Sequence, residues 1–112
     1  MNKIERRLRR KKGIRKKIYG ILSKPRITVY RSNKHLYVQA IDDLHGNTLC
    51  SSSDFDAGTK KNLEGASAVG LKLAEKLLKK NVKDVIFDRN GYIHHGLVKA
   101  VADGVRKGGI KL

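Results

Sequence analysis

The first quarter of the chain carries most of the charge, and this limits what that segment can fold into. Residues 1–26 contain twelve Lys and Arg and one acid, a net charge of +11, whereas residues 27–112 contain fourteen basic and nine acidic residues, a net +5. A segment with so few apolar side chains and so much unbalanced charge cannot form a core of its own. We therefore expect one α/β domain over residues 25–112. Residues 1–24 form a basic arm that is disordered when free, or helical once phosphates neutralise it.

The total charge narrows the class of partner. The 112 residues have a formal net charge of +16, and a compact chain this basic needs a polyanion to offset its self-repulsion. The candidates are nucleic acid and an anionic membrane surface. Residues 3–18 of the arm contain four aliphatic residues, interrupted by Gly13, and these make a poor membrane-binding face. A transit peptide is also basic, but this arm has one serine before residue 24 and no clear apolar face.

Cysteine content and hydropathy indicate the compartment. Cys50 is the single cysteine, so no internal disulfide can form. No apolar run approaches the length of a membrane span, and the first residues lack the apolar stretch of a secretory signal. We expect a cytoplasmic protein without membrane contact that is a monomer when free.

Three segments that alternate apolar and polar residues follow the arm. Residues 26–32 and 35–42 are rich in β-branched and aromatic side chains, and residues 48–53 continue the pattern. Asn33 and Lys34 suit a tight hairpin turn, since Asn tolerates left-handed backbone geometry. The pattern predicts a three-stranded antiparallel meander.

The periodicity then becomes helical. Residues 66–80 and 97–107 are amphipathic at helical spacing, and residues 84–89 between them form a short apolar run typical of a buried strand. A strand, a helix and a further strand require a right-handed crossover and parallel pairing. We predict an α/β (α+β) fold with a mixed four-stranded sheet and the order β-β-β-α-β-α. Both helices pack on one face and leave the other face open.

The sequence offers little for catalysis or metal binding. Cys50 lies in a strand pattern with no surrounding motif, where a buried small cysteine is commoner than a nucleophile. One cysteine with the adjacent His94 and His95 does not supply the four ligands of structural zinc. We predict no catalytic residue, no cofactor and no metal. The alternatives are a small basic RNA-processing nuclease using His94, His95 and Asp88 for acid–base chemistry, and a non-specific nucleic-acid binder.

Two groups of residues indicate RNA binding. Seven of the ten residues 6–15 are Lys or Arg, which suits phosphate contacts that give affinity with little base information. The hairpin after the first strand combines donors with an aromatic ring, which suits phosphates, 2′-hydroxyls and unstacked bases, although an ordinary polar hairpin explains it equally well. The predicted RNA-binding residues of these two groups are Arg6, Arg7, Arg9, Arg10, Lys11, Lys12, Arg15, Lys16, Lys17, Arg26, Arg31, Ser32, Asn33, Lys34, His35 and Tyr37.

Two long segments resemble a known family. Residues 25–43 (PRITVYRSNKHLYVQAIDD) and 87–109 (FDRNGYIHHGLVKAVADGVRKGG) are similar to the bacterial large-subunit ribosomal protein eighteen family, which binds 5S rRNA. The family pattern has an arginine-rich start, a Pro-Arg strand start, an Arg-Ser…Lys-His hairpin, a Phe-Asp-Arg strand end and a His-Gly helix start. All five parts occur here in that order over nearly the whole chain, and it is the combination that is specific.

The resemblance implies a structural constituent of the large ribosomal subunit. It implies that the protein binds 5S rRNA and helps attach it to 23S rRNA in the central protuberance, beside other ribosomal proteins. By position it supports the hairpin contacts and adds Arg89, Tyr92 and His95 to the RNA-binding residues. The family pattern usually has a tyrosine where this chain has His94, but a histidine can still stack and donate, so His94 is also a predicted contact. The chain departs from the family pattern at Leu97, where an arginine is usual. Leucine has neither the charge nor the forked donors of arginine, so that contact does not carry over.

Overall fold

The computed structural model describes residues 2–16, 18–32, 35–55, 57–59, 61–92 and 96–112. Its elements are α1 (Lys3–Arg15), β1 (Arg26–Arg31), β2 (Leu36–Asp42), β3 (Asn47–Ser53), α2 (Leu63–Lys79), β4 (Ile86–Asp88) and α3 (Leu97–Lys107). The sheet order is β3-β2-β1-β4, with β1 antiparallel to β2, β2 antiparallel to β3, and β1 parallel to β4. The predicted α+β fold with a mixed four-stranded sheet is confirmed.

One face of the sheet forms the core. The alternating residues Ile27, Val29, Val38 and Ala40 are fully buried on this face, as the strand period requires. Helix α2 packs against β2 and β3, and α3 packs closely along α2. A Cβ at Gly70 of α2 would collide with the Val101 carbonyl of α3, so glycine is what permits the two helices to approach this closely.

Two predicted boundaries differ from the structure by two residues or more, for local reasons. Helix α2 begins at Leu63, before the apolar periodicity starts, because the Asn62 side chain caps it by accepting from the Gly65 N–H at 2.8 Å. Strand β4 is shorter than residues 84–89, because Asp84 forms a separate bridge with Lys111 near the C-terminus.

Helix α1 accounts for most of the described arm. Asn2 caps it by accepting from the Glu5 N–H at 2.8 Å, and none of its residues is buried. The sequence left a disordered and a helical arm open, and residues 3–15 are helical in the structure. The helix borders the second face of the sheet beside Thr28 and Tyr30, so this face is less open than predicted. No helix in the described ranges is long and apolar enough to cross a membrane.

Candidate nucleic-acid interface

The position of α1 depends on a tight turn after β4. The Tyr92 N–H donates to the Arg89 carbonyl at 3.1 Å, and both central residues have positive φ, 57° at Asn90 and 78° at Gly91. Asn and Gly are the residues that tolerate this geometry. The buried Asn90 amide also donates to the Val29 carbonyl at 2.9 Å, which fixes the turn to β1.

Gly91 lies directly against the backbone of α1. A Cβ there would collide with the Arg7 carbonyl oxygen and lie 3.0 Å from the Lys11 nitrogen. The Gly91 carbonyl also accepts from the Arg10 Nε at 2.8 Å. Because α1 buries no residue, this backbone approach and a few polar contacts hold it in place.

Tyr92 joins α1 to the end of β1. Its hydroxyl accepts from an Arg7 guanidinium nitrogen at 2.6 Å and from the Arg31 backbone N–H at 3.2 Å. The Arg7 and Arg31 guanidinium carbons lie 4.6 and 5.7 Å from the centre of its ring, within cation–π range. The family resemblance implied that Tyr92 contacts RNA, and the structure shows it as a half-buried residue that positions two arginines.

The predicted arm cations divide into two sets. Arg7, Arg10 and Arg15 point inward and donate to protein groups, Arg15 to the Ile18 carbonyl at 2.9 Å. Lys11 is half-buried beside the sheet. The predicted cations that are exposed to solvent are Arg6, Arg9, Lys12 and Lys16, and Lys3, which was not among the predicted contacts, is exposed as well. The inward set orients the helix and leaves the outward set available to phosphates.

Arg26 lies in an interior ion-pair network. Its side chain is 11% exposed, and its guanidinium donates to Asp43 at 3.0 Å and to Asp88 at 2.7 Å. The Asp88 side chain is fully buried. Hydrogen bonds from Arg26 lower the pKa of Asp43 despite its burial. This placement argues against the predicted contact of Arg26 with RNA, because its donors are already used inside the protein. It also argues against acid–base chemistry by Asp88.

The hairpin between β1 and β2 is held by side chains at its base. The Ser32 N–H donates to the His35 carbonyl at 2.9 Å, and the His35 N–H donates to the Ser32 hydroxyl at 3.2 Å. The His35 ring lies 3.2 Å from a carboxylate oxygen of Asp54. Burial raises the pKa of Asp54, but bonds from the Leu36 N–H and from His35 outweigh it, so the net pKa is lowered. The carboxylate therefore fixes the His35 ring.

The remaining predicted site residues fall into two groups, those outside the described residues and Arg89. Lys17, Asn33, Lys34, His94 and His95 lie outside the described residues. Arg89 is half-buried at the start of the Gly91 turn.

Burial raises the pKa of the Cys50 thiol, so the cysteine stays protonated, which agrees with a structural role.

Two exposed aromatic residues were not among the predicted contacts. Tyr30 is the cross-strand partner of Tyr37, and strand alternation identifies both as outward-facing. Phe55 follows β3 in a polar stretch, and 82% of its surface is exposed. Of the two missed residues, Tyr30 could have been predicted from strand alternation. No pattern in the sequence indicates the exposure of Phe55.

The whole chain matches a known family. The family model for ribosomal L18 of archaea, bacteria, mitochondria and chloroplast matches residues 1–112. The chain belongs to this family. The "Large ribosomal subunit protein uL18" of Treponema denticola is 49% identical, over 98% of this chain and 94% of the relative. The proteins of that name from Thermotoga petrophila and Nitratidesulfovibrio vulgaris are 47% and 48% identical, over 98% and 99% of this chain and 95% and 98% of their own.

Membership in this family decides three predictions. The chain is a constituent of the large ribosomal subunit and not an enzyme, so the nuclease hypothesis is wrong. The predicted location on the cytoplasmic ribosome is confirmed by the bacterial relatives. RNA binding and a role in translation are consistent with the family.

Proposed function

We propose that this ribosomal protein binds 5S rRNA and helps attach it to 23S rRNA in the central protuberance. Three findings support the proposal: membership in the ribosomal L18 family, a net charge of +16, and a basic helix fixed beside one face of the sheet. The neighbouring proteins of the central protuberance are the other expected partners.

The observation that carries the proposal is the division of cations on α1. The inward arginines hold the helix through Gly91 and Tyr92, and the outward face keeps Arg6, Arg9 and Lys12 in solvent. These three residues follow one another at about one turn, or roughly 5 Å along the helix axis. A fixed row of cations suits the phosphates of a folded RNA and gives affinity with little base information.

The hairpin would supply contacts of a different kind. Arg31 reaches the same Tyr92 ring that Arg7 contacts, so the end of β1 and the arm lie side by side. One RNA can therefore touch both surfaces at once. Ser32 and His35 are hydrogen-bonded to each other at the base of the hairpin, and side chains held at defined positions select among folded RNAs in a way that bulk charge does not.

The test compares 5S rRNA with an unrelated transcript of equal length and similar fold at physiological ionic strength. We expect the protein to bind 5S rRNA at least about tenfold more tightly, since specific binding exceeds charge-driven binding by larger factors in most systems. Equal affinity for both RNAs would contradict the proposal and favour a non-specific binder.

Two substitutions test the hairpin within the same assay. Arg31→Ala and His35→Ala should each weaken 5S binding more than they weaken binding to the unrelated transcript. Lys83→Ala is the matched control for Arg31→Ala, because Lys83 is an exposed cation away from the hairpin. If Arg31→Ala and Lys83→Ala have the same effect on both RNAs, the hairpin has no part in recognition.

A further inference from the structure

Four aromatic rings form a row along one end of the sheet. The ring centroids of Tyr30 and Tyr37 are 6.3 Å apart, those of Tyr37 and His35 are 6.2 Å apart, and those of His35 and Phe55 are 6.2 Å apart. The interplanar angles are between 41° and 61°, so no ring covers the face of the next. The row runs from β1, beside α1, to the segment that follows β3.

The rings of this row are largely in solvent. Tyr30 is 52% exposed, Tyr37 43% and Phe55 82%, and the His35 side chain is 40% exposed. Single exposed apolar residues are ordinary, but a continuous series of exposed rings marks a binding surface. Asp54, whose carboxylate contacts the His35 ring of the row, is itself buried.

Cations border both ends of the row. At one end, Tyr30 lines a groove together with Lys3, Arg6 and Arg10 of α1. At the other end, Phe55 lines a second groove with Lys76, whose ammonium group donates to the Ser51 carbonyl at 2.7 Å. Aromatic faces between cations are the arrangement by which proteins hold single-stranded nucleic acid, because the bases stack on the rings and the phosphates lie against the cations.

We propose that this row is a stacking platform for unpaired RNA bases, with Phe55 as its outermost position. The inference rests on the proposed function in that it requires rRNA as the partner. It goes further by assigning base contact to a residue that neither the basic arm nor the hairpin includes. The ligand is an unstacked RNA base, which either 5S rRNA or a single-stranded part of 23S rRNA could supply.

A tryptophan at position 55 reports this contact directly. The chain contains no tryptophan, so Phe55→Trp gives a single indole at the site. The residue is 82% exposed, so the substitution leaves the core untouched. Leu44→Trp is the matched control, because Leu44 is 62% exposed and lies in the turn at the opposite end of β2. Stacking of a base on an indole quenches its fluorescence.

The titration uses 5S rRNA, a single-stranded 23S rRNA segment and a fully paired RNA duplex, with complex formation followed separately by mobility shift. We expect saturable quenching of Phe55→Trp by 5S rRNA or by the 23S segment, which identifies the source, and little quenching by the duplex or of Leu44→Trp. Unchanged Phe55→Trp fluorescence in fully formed complexes with both rRNAs would overturn the platform. Equal quenching by the duplex would overturn it too. Absence of 5S complexes in the mobility shift would instead count against the proposed function.

A second variant measures the energetic contribution. Phe55→Ala should weaken binding of the quenching RNA by about tenfold, which corresponds to about 1.4 kcal/mol, whereas Leu44→Ala should leave it unchanged. Phe55→Trp should retain the affinity, since the indole keeps a stacking face. If Phe55→Ala binds as tightly as the unsubstituted chain, the ring contributes nothing to binding and the proposal fails.

Discussion

Replacing Gly91 tests how α1 is held against the domain. Gly91→Ala forces a side chain into positive-φ geometry, which costs on the order of 1–2 kcal/mol. Its Cβ would also collide with the Arg7 carbonyl of α1, so the helix must move away. Since α1 buries no residue, its release adds little to the loss of global stability. We therefore expect a fall of about 1–2 kcal/mol in the free energy of unfolding, together with a displaced arm.

Gly46→Ala separates the two effects. Gly46 has a similar positive φ of 67°, but a Cβ there meets nothing within 4 Å. Urea denaturation should give nearly the same loss of stability for both variants. Limited digestion with trypsin, which cleaves after the Lys and Arg of the arm, should be faster only in Gly91→Ala, and 5S rRNA binding should weaken only there. Identical arm cleavage and identical RNA affinity in the two variants would refute the account of docking.

Three further predictions concern stability. Arg26→Met leaves the buried Asp88 carboxylate without its partner and should lower the free energy of unfolding by about 3 kcal/mol in urea denaturation. The lowered pKa of Asp43 means that its contribution is present above the ordinary Asp value of about 3.9 and is lost as the pH falls through its lower folded value. Stability should thus decline in acid, and Asp43→Asn should flatten that decline. Gly70→Ala should lower the thermal midpoint and cost about 1–3 kcal/mol, because its Cβ would collide with the Val101 carbonyl.

Each of these predictions has a control or a contradicting result. An Arg26→Met chain that unfolds at the wild-type urea concentration, with only RNA affinity reduced, would return Arg26 to the RNA interface. An unchanged acid profile for Asp43→Asn would remove the carboxylate from the stability argument. For Gly70→Ala the control is Gly13→Ala, since Gly13 is also helical but its Cβ would meet nothing within 4 Å. Gly13→Ala should stabilise α1 and leave the α2–α3 packing unaffected.

Local sequence patterns were sufficient to predict most of the sheet and both core helices. Strand alternation and helical period can be recognised from neighbouring residues alone. The helical period of residues 97–107 therefore predicted the observed bounds of α3. The start of α2 was missed because its first turn depends on a cap at Asn62, where the apolar period has not begun. Such caps shift a helix boundary without changing the fold.

The candidate site was harder to predict, because its contacts join residues far apart in the chain. Arg7 and Tyr92 are 85 residues apart, and nothing local in either segment indicates their hydrogen bond. In the sequence, Arg26 is one more basic residue close to the arm, and its bonds to Asp43 and Asp88 form only in the folded chain. The exposure of Phe55 likewise follows from the tertiary fold, because the polar segment around it has no periodic pattern from which exposure could be predicted.

The central claim is that the outward cations of α1 neutralise rRNA phosphates, and the salt dependence of 5S rRNA binding tests it most directly. The arm variant replaces with Gln the four residues Arg6, Arg9, Lys12 and Lys16. The control replaces with Gln four exposed lysines of the domain, Lys79, Lys83, Lys99 and Lys107. Both variants lose the same charge, so net charge alone cannot distinguish them.

Each phosphate contact contributes roughly 0.7 to 0.9 to the slope of log K against log salt concentration. The account predicts that the arm variant loses about 3 units of slope and that the control keeps nearly the full slope. Equal slopes for the arm variant and the unsubstituted chain, or equal losses in both variants, would contradict it.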